Sequence, residues 1–230
     1  MKKVFLIFTC EHASNSVPEK YQKHFIGKKS ILASHRGFDW GTEHLGKILG
    51  KTFNAPVIFG TFSRLLIDLN RSEGHKTALS EMTMHLGKTE HEIIKETYHR
   101  PHWRKVRSLI EEQIKKGNSV IHIGIHSFTP SLHGVVRTTD LGLCYDSRRK
   151  SELKLALEWQ KSLRSHSDLR IRRNYPYSGQ YDGLTSSFRK DFSDKLYRGF
   201  EIEINQALVI KERDLKMIES LIVKSLKDIL

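Results

Sequence analysis

The sequence has few of the features that mark disulfide-rich, membrane-spanning or nucleotide-binding proteins. It contains two cysteines among 230 residues, Cys10 and Cys144, and they form no CxxC pair. This usage disfavours a disulfide framework and a thiolate zinc knuckle, and it favours a reducing, cytoplasmic location. No apolar run approaches the ~20 residues that a membrane span requires. No GxGxxG motif follows the first predicted strand and no Walker lysine loop occurs, which disfavours a nucleotide site.

The amino terminus imitates the opening of a signal peptide. Two lysines precede the apolar residues 4–10, but this run is at the short limit for such a segment. It breaks at Glu11 and lacks a small-residue cleavage site. We therefore predict a first β-strand there.

Positive charge is in excess. Lys and Arg number 39 against 26 Asp and Glu, which gives a formal net charge of +13. Such a balance suits an anionic partner such as nucleic acid. The excess is spread over short groups, however, with no basic tail and no nucleic-acid-binding motif. We therefore predict a solvated, lysine-rich surface and disfavour nucleic acid as a partner.

Strand-like and helix-like segments alternate along a single predicted domain, residues 1–230. Strands are predicted at residues 4–8, 56–61, 65–69, 120–125, 141–145 and 200–204. Helices are predicted near residues 39–50, from Pro101 to about 117, and over 152–163 and 215–226, with a short helix at 90–97 inside an otherwise irregular stretch, 72–100. This interleaving predicts a three-layer α/β/α sandwich with a mostly parallel mixed sheet.

Polar residues collect where several of these strands end. His12 follows the first strand, and His126 follows the strand at 120–125. The last strand carries Glu201 and Glu203 two positions apart, and therefore on the same face. Because ligands bind at the carboxyl ends of strands in open α/β sheets, these residues predict an active-site rim.

The rim contains the residue types that a catalytic zinc requires. Such a site takes three protein ligands and keeps an open position for water. We predict His12 and His126 as two ligands and Asp39 as the third, although a helix cap explains Asp39 equally well. Glu11 competes for the third place.

A nearby carboxylate is needed to accept a proton from the water. We assign that role to Glu203 and a structural one to Glu201.

Arginines beside the predicted strand at 65–69 suit a substrate that carries a carboxylate. A guanidinium binds a carboxylate with two parallel hydrogen bonds. Arg71 with Asn70 is a candidate clamp for this carboxylate, and Arg64 is a candidate for stabilising the oxyanion. The alternative is a surface ion pair between Arg71 and Asp68.

Six blocks of sequence together resemble the N-formylglutamate amidohydrolase family, which is similar to zinc carboxypeptidases and aspartoacylases. The blocks are residues 10–15 (CEHASN), 37–41 (GFDWG), 63–71 (SRLLIDLNR), 125–130 (IHSFTP), 174–179 (NYPYSG) and 202–206 (IEINQ). The resemblance implies a phosphorylase/hydrolase-like α/β fold and hydrolysis of an N-acyl amino acid. It also implies that Asn70, Arg71, His102 and Asn174 bind substrate. The HxxE pair of the carboxypeptidases is absent, since Asn15 stands three residues after His12.

The sequence therefore predicts a metal-dependent amidohydrolase that cleaves the N-acyl amide of a small acidic amino acid such as N-formylglutamate. Zinc is the expected cation, although another divalent metal would fit, and the partner is a small-molecule substrate. One alternative is a zinc peptidase or amidase that acts on another carboxylate-bearing substrate. The others are a family member that binds without turnover and a non-catalytic, basic nucleic-acid-binding protein.

Overall fold

The computed structural model describes residues 3–230, in which a six-stranded sheet lies between two layers of helices. The strands of this sheet are β1 (Val4–Cys10), β2 (Val57–Phe59), β3 (Ser119–Phe128), β6 (Leu141–Cys144), β7 (Ile171–Arg173) and β8 (Tyr197–Asn205). A separate hairpin is formed by β4 (Ser131–Leu132) and β5 (Val135–Val136). The sheet order is β2-β1-β3-β8-β6-β7.

Most neighbouring strands of the sheet are parallel. The pairs β2-β1, β1-β3, β3-β8 and β6-β7 are parallel, and only β6 runs antiparallel to β8. The prediction of a mostly parallel mixed sheet is therefore confirmed. Strand β3 is buried at every residue, as expected for a central strand that is covered on both faces.

The helices cover both faces of the sheet. They are α1 (Lys29–Leu32), α2 (Thr42–Phe53), α3 (Lys88–Ile94), α4 (Arg100–Lys115), α5 (Lys150–Ser165), α6 (Leu184–Asp191) and α7 (Glu212–Ile229). Helices α2, α5 and α7 pack in one apolar cluster with Ile121, Ile123 and Ile125 of β3. Helices α4 and α6 pack in a second cluster with Val120 and Tyr197.

Strand alternation decides which residues reach the candidate site. Since successive side chains of a strand point to opposite faces, His126 shares the face of Val120. On β8, Glu201 and Glu203 likewise share the face of Tyr197. The face that α4 and α6 cover therefore carries the polar residues of β3 and β8 toward the carboxyl ends of both strands.

The predicted strand at residues 65–69 is wrong, because these residues form turns. Their apolar side chains are buried in a third cluster with Tyr21, Phe25 and Met82. Hydroxyl groups replace the missing strand partner: Thr83 Oγ1 donates to Leu66 O at 3.0 Å, and Ser80 Oγ donates to Leu65 O. A buried apolar run thus satisfies its backbone groups without entering the sheet.

The helix predicted from Pro101 begins earlier than expected. Helix α3 passes through a π-helical turn at Lys95–His99 directly into α4. Pro101 lies in the first turn of α4 and has no N–H group to donate. The π-helical turn before it shifts the backbone hydrogen bonds from an i→i+4 to an i→i+5 pattern for one turn. Within residues 3–230, no helix combines the length and the apolar character needed to cross a bilayer.

A buried ion pair joins α5, α6 and β8 on the side of the sheet away from β1. Arg189 Nε donates to both carboxylate oxygens of Glu152 at 3.0 Å. Glu152 also accepts from the backbone N–H of Gly199 at 3.0 Å and of Asp146 at 2.9 Å. Burial raises the pKa of Glu152 even with these partners, which shows how strongly the site depends on them.

We expect Arg189→Ala to lower the free energy of unfolding by about 3–5 kcal/mol, because the buried Glu152 carboxylate keeps only one cation of residues 3–230, Arg149 with Nε at 3.2 Å, and the carbonyl oxygens of Gly179 and Gly199 lose their donor. Urea unfolding of the wild type and the variant measures this loss. The matched control is Lys216→Ala, which removes one member of the exposed Glu212–Lys216 pair and should leave the midpoint close to that of the wild type. Equal midpoints for the two variants would contradict the structural role of the buried pair.

Candidate metal centre and substrate cavity

Three side chains converge beyond the carboxyl ends of β1 and β3. His12 follows β1, His126 lies near the end of β3, and Asp39 stands three residues before α2. The backbone N–H of Asp39 donates to His12 O at 2.9 Å, which ties the two segments together. Asp39 Oδ2 lies 3.3 Å from His12 Nδ1 and 3.1 Å from His126 Nδ1. All three residues are buried.

The outer nitrogens of both imidazoles face carboxylates. His12 Nε2 donates to Asp68 Oδ1 at 2.7 Å. His126 Nε2 lies 3.1 Å from Glu11 Oε2, at an angle outside that of a hydrogen bond. With a metal bound, carboxylates in these positions would keep the proton on Nε2 and free the Nδ1 lone pairs for coordination. Glu11, the competing third ligand, therefore lies on the outer side of His126.

The electrostatics of the cluster favour positive charge at its centre. Burial and Arg64 would lower the pKa of His12, but Asp68 and Asp39 raise it above its ordinary value. Burial alone would raise the pKa of Asp39, yet the charges and hydrogen bonds of His12 and His126 hold it far below its usual range. The same surroundings that favour a protonated His12 and an ionised Asp39 also favour a bound metal cation between them.

The residues present fit a divalent metal. The Nδ1 atoms of His12 and His126 and one carboxylate oxygen of Asp39 all lie within 4.8 Å of one another. Tetrahedral coordination with bonds of about 2.0–2.1 Å requires ligand atoms about 3.3 Å apart, which is close to both Asp39 contacts. Two imidazoles and one carboxylate, with carboxylates behind the imidazoles, form a donor set suited to zinc.

Glu203 lies beside this cluster. On the paired strands β3 and β8, its Cα is the partner of His126. Its carboxyl is buried, and Oε2 has no hydrogen-bond partner among residues 3–230. Burial raises the pKa of Glu203 to about 8, with the His126 charge opposing and the Asp39 charge adding to the effect. A buried carboxyl that titrates near neutrality is suited to accept and return a proton.

Glycine shapes the space around this carboxyl. On the neighbouring strand β6, Gly142 stands opposite Glu203. A β-carbon at Gly142 would lie 2.1 Å from Tyr175 O and 3.2 Å from the Glu203 β-carbon. The missing side chain therefore lets the loop around Tyr175 approach the strand beside Glu203.

Arg64 is held by two carboxylates. Its Nη2 donates to Asp68 Oδ2 at 2.7 Å, and its Nη1 lies 3.6 Å from Asp39 Oδ1. These contacts neutralise the guanidinium and fix it between two residues that also contact His12. The position suits a group that orients Asp39 and Asp68 better than one that binds a developing oxyanion.

Two aromatic rings clamp the segment that carries Asn70 and Arg71. Trp103 Nε1 donates to Leu69 O at 2.9 Å, and His99 Nε2 donates to Arg71 O at 2.7 Å. The two rings stack with centroids 5.1 Å apart. The backbone on either side of Asn70 is thus fixed by the π-helical turn and the start of α4.

A cavity of about 510 Å³ opens onto these groups. Its walls include seven of the residues predicted from the sequence: His12, Asp39, Arg64, Asn70, Arg71, His126 and Glu203. Glu201 also lines it, with Oε1 accepting from Asn70 Nδ2 at 3.3 Å and from Thr185 Oγ1 at 3.1 Å. The expectation that Glu201 and Glu203 share a face matches this arrangement.

Two predicted substrate-binding residues lie elsewhere. His102 is on the first turn of α4, where it lines a separate cavity of about 220 Å³ with Phe62 and Leu69. Burial lowers its pKa to about 4, so it is neutral. Asn174 has a positive φ of 51°, and its Oδ1 accepts from the N–H groups of Tyr145 and Gly179 at 3.0 and 3.1 Å. The side-chain oxygen of Asn174 therefore holds the backbone of residues 174–179 against Tyr145. Asn174 is not among the described residues that line the main cavity.

Three supporting residues are not predicted from the sequence. Asp68 was expected, at most, in a surface pair with Arg71, but it is buried and binds His12 and Arg64 instead. The spacing of four residues between Arg64 and Asp68 is the one feature of the sequence that could have indicated their ion pair. His99 and Trp103 belong to a helical pattern in which nothing marks them as support for a site.

The chain matches a known protein family over most of its length. A family model described as N-formylglutamate amidohydrolase matches residues 4–210. The chain belongs to this family. As a member of the N-formylglutamate amidohydrolase family it is a hydrolase, and the family implies a small-molecule substrate.

Solved structures agree with this fold. A gene product from Agrobacterium tumefaciens is 27% identical, with a TM-score of 0.81 over 98% of this chain and 91% of that chain. An N-formylglutamate amidohydrolase from Ralstonia eutropha JMP134 is 15% identical, with a TM-score of 0.72 over 99% of this chain and 93% of that chain. The likeness to the Ralstonia eutropha protein shows that the two chains share a fold. No significant match is found among curated proteins.

We expect Asn174→Ala to cost about 1–3 kcal/mol of stability, because two backbone N–H groups lose their acceptor. Asn174→Asp keeps an acceptor oxygen and should retain most of the stability. Urea unfolding measures both variants, and steady-state kinetics on the folded protein should show an unchanged KM in each. A raised KM with unchanged stability would instead assign Asn174 to substrate binding.

Proposed function

We propose that this amidohydrolase depends on a divalent metal, with zinc expected, and cleaves the formyl-type N-acyl amide of a small amino acid. N-formylglutamate is the reference substrate. The observation that carries the proposal is the convergence of His12 Nδ1, Asp39 Oδ2 and His126 Nδ1 beside the unpartnered carboxyl of Glu203. Ligand atoms and a proton acceptor at one cavity are the parts that hydrolysis of an amide requires.

His12, Asp39 and His126 would hold a divalent cation, which would act as a Lewis acid toward water and the acyl carbonyl. Glu203 takes a proton from the attacking water as the water oxygen bonds to the acyl carbon. Glu203 then gives that proton to the amide nitrogen as the C–N bond breaks. The products are a carboxylate, which is formate for a formyl substrate, and the free amino acid.

Other residues of the cavity bind and orient. Arg71 and Asn70 hold the substrate carboxylate, supported by the backbone contacts from His99 and Trp103. Arg64 keeps Asp39 and Asp68 in place through its two terminal nitrogens. Its proposed role is therefore positioning, which replaces the oxyanion contact expected from the sequence.

Two variants should separate metal binding from proton transfer. We expect Glu203→Gln to retain the metal of the wild type and to lower kcat by about 10²–10⁴-fold, because a general acid–base group is lost. We expect His126→Ala to lose the metal and the turnover together. The measurements are metal content of protein purified without added zinc, and formate release from N-formylglutamate with and without a chelator.

The matched control is His166→Ala, which removes a histidine that is paired with Asp228 on the surface away from the cavity. It should keep both metal and activity. Turnover of Glu203→Gln at the wild-type rate would contradict the assigned proton transfer. Metal content that is unchanged in His126→Ala would contradict the assigned ligands.

A further inference from the structure

Apolar and aromatic side chains form part of the lining of the main cavity. Seven of its lining residues are apolar or aromatic: Leu65, Leu79, Met84, Phe128, Leu132, Tyr177 and Tyr181. Met84 is 54% exposed, Tyr177 38% and Tyr181 65%. Large exposed apolar side chains that are gathered in one concave place mark a binding surface.

The positive charges of the cavity are almost all neutralised within the protein. Three arginines line it. Arg64 is paired with Asp68 and Asp39, and Arg36 with Glu81. Over residues 3–230, Arg71 is the cavity arginine that has no carboxylate within ion-pair distance, and its Nη1 donates to the backbone oxygen of Asp182. The cavity therefore offers one guanidinium to a substrate carboxylate.

Other nearby cations do not supply a second site. Burial and the charges of Arg36 and Arg64 lower the pKa of His35, which disfavours a charged imidazole at this position. Arg137 stacks on Phe128 and Tyr177, with its guanidinium 5.7 and 5.1 Å from their ring centroids. Its Nη1 donates to the Tyr177 hydroxyl at 3.1 Å, so the guanidinium is held by the aromatic residues and is not among the groups that line the cavity.

A second substrate carboxylate would meet unpaired acids. Asp182 and Glu201 line the cavity, and neither is in a salt bridge with an Arg or Lys of residues 3–230. A carboxylate that leaves water without a cationic partner loses its hydration and gains repulsion from these groups. The cost falls on a dicarboxylate such as N-formylglutamate and not on a substrate with a single carboxylate.

We infer that the cavity selects N-acyl amino acids that have one carboxylate and an uncharged, apolar side chain. The carboxylate binds Arg71, and the side chain packs on Met84, Tyr177 and Tyr181. A volume of about 510 Å³ holds such a substrate with room for a large side chain. The inference rests on the proposed function. The inferred substrate has the N-acyl amide and the α-carboxylate of N-formylglutamate, but an uncharged, apolar side chain in place of the glutamate side chain.

The sharpest test compares N-formyl-L-glutamine with N-formyl-L-glutamate, because the two differ in side-chain charge and hardly in shape. We expect kcat/KM of the metal-loaded enzyme to favour glutamine by at least about tenfold, and N-formyl-L-phenylalanine to be better still. A preference for glutamate, or equal values for the two, would overturn the inference.

Binding to Glu203→Gln gives a second readout that does not require turnover. Calorimetry should show the same order of affinities, with N-formyl-L-glutamate weakest. If the wild type hydrolyses none of these compounds, the proposed function fails, and the order of affinities still decides the inference. If glutamate binds as tightly as glutamine, the inference fails even where hydrolysis proceeds.

Variants of the apolar lining residues test where the side chain of the substrate binds. We expect Met84→Ala and Tyr181→Ala to lower the ratio of kcat/KM for N-formyl-L-phenylalanine over N-formyl-L-glutamine by about 10-fold, as lost apolar contacts do in substrate pockets. The matched control is Met217→Ala on α7, which removes a methionine that is 44% exposed outside this cavity and should leave the ratio unchanged. An unchanged ratio in both cavity variants would overturn the assigned packing.

Discussion

The candidate site depends on a buried cluster of acids and imidazoles that is stable only with positive charge at its centre. Glu11, Asp39 and Asp68 are each at most 6% exposed, and they surround His12 and His126. Buried carboxylates are costly unless cations or hydrogen-bond donors face them. Arg64 faces two of the acids from one side, and the imidazoles face all three from the other. The imidazoles of His12 and His126 thus stabilise the buried carboxylates in the folded protein. The same imidazoles, with Asp39, would hold a metal.

The parallel sheet brings these atoms together from distant parts of the chain. Strands β1, β3 and β8 are neighbours in the order of the sheet, so their carboxyl ends meet at one edge. The pairing of His126 with Glu203 sets the proton acceptor beside the cluster. A slip of one residue in β8 would move Glu203 to the opposite face of the sheet. The chemistry proposed for the cavity is thus a consequence of strand register.

Strand ends could be predicted from the sequence, whereas the contacts of loops could not. His12, His126 and Glu203 lie on apolar runs whose termini are visible as a change of polarity, and Asp39 precedes a clear helical pattern. The run at residues 65–69 has the same apolar character, but hydroxyl groups from a distant loop satisfy its backbone. The family resemblance names Asn174 and His102, and the structure places both outside the lining of the main cavity, in a loop and on α4. The pairing of Arg64 with two acids is a tertiary contact that residue types alone do not fix.

The most direct test of the account is an anomalous difference map of crystals grown with zinc, recorded at the zinc absorption edge. The account predicts one strong peak about 2 Å from Nδ1 of His12, Nδ1 of His126 and an oxygen of Asp39. It also predicts that the carboxyl of Glu203 lies near that peak without replacing any of the three ligands. A cavity without a peak, or a peak coordinated through the Nε2 atoms and Glu11, would contradict it.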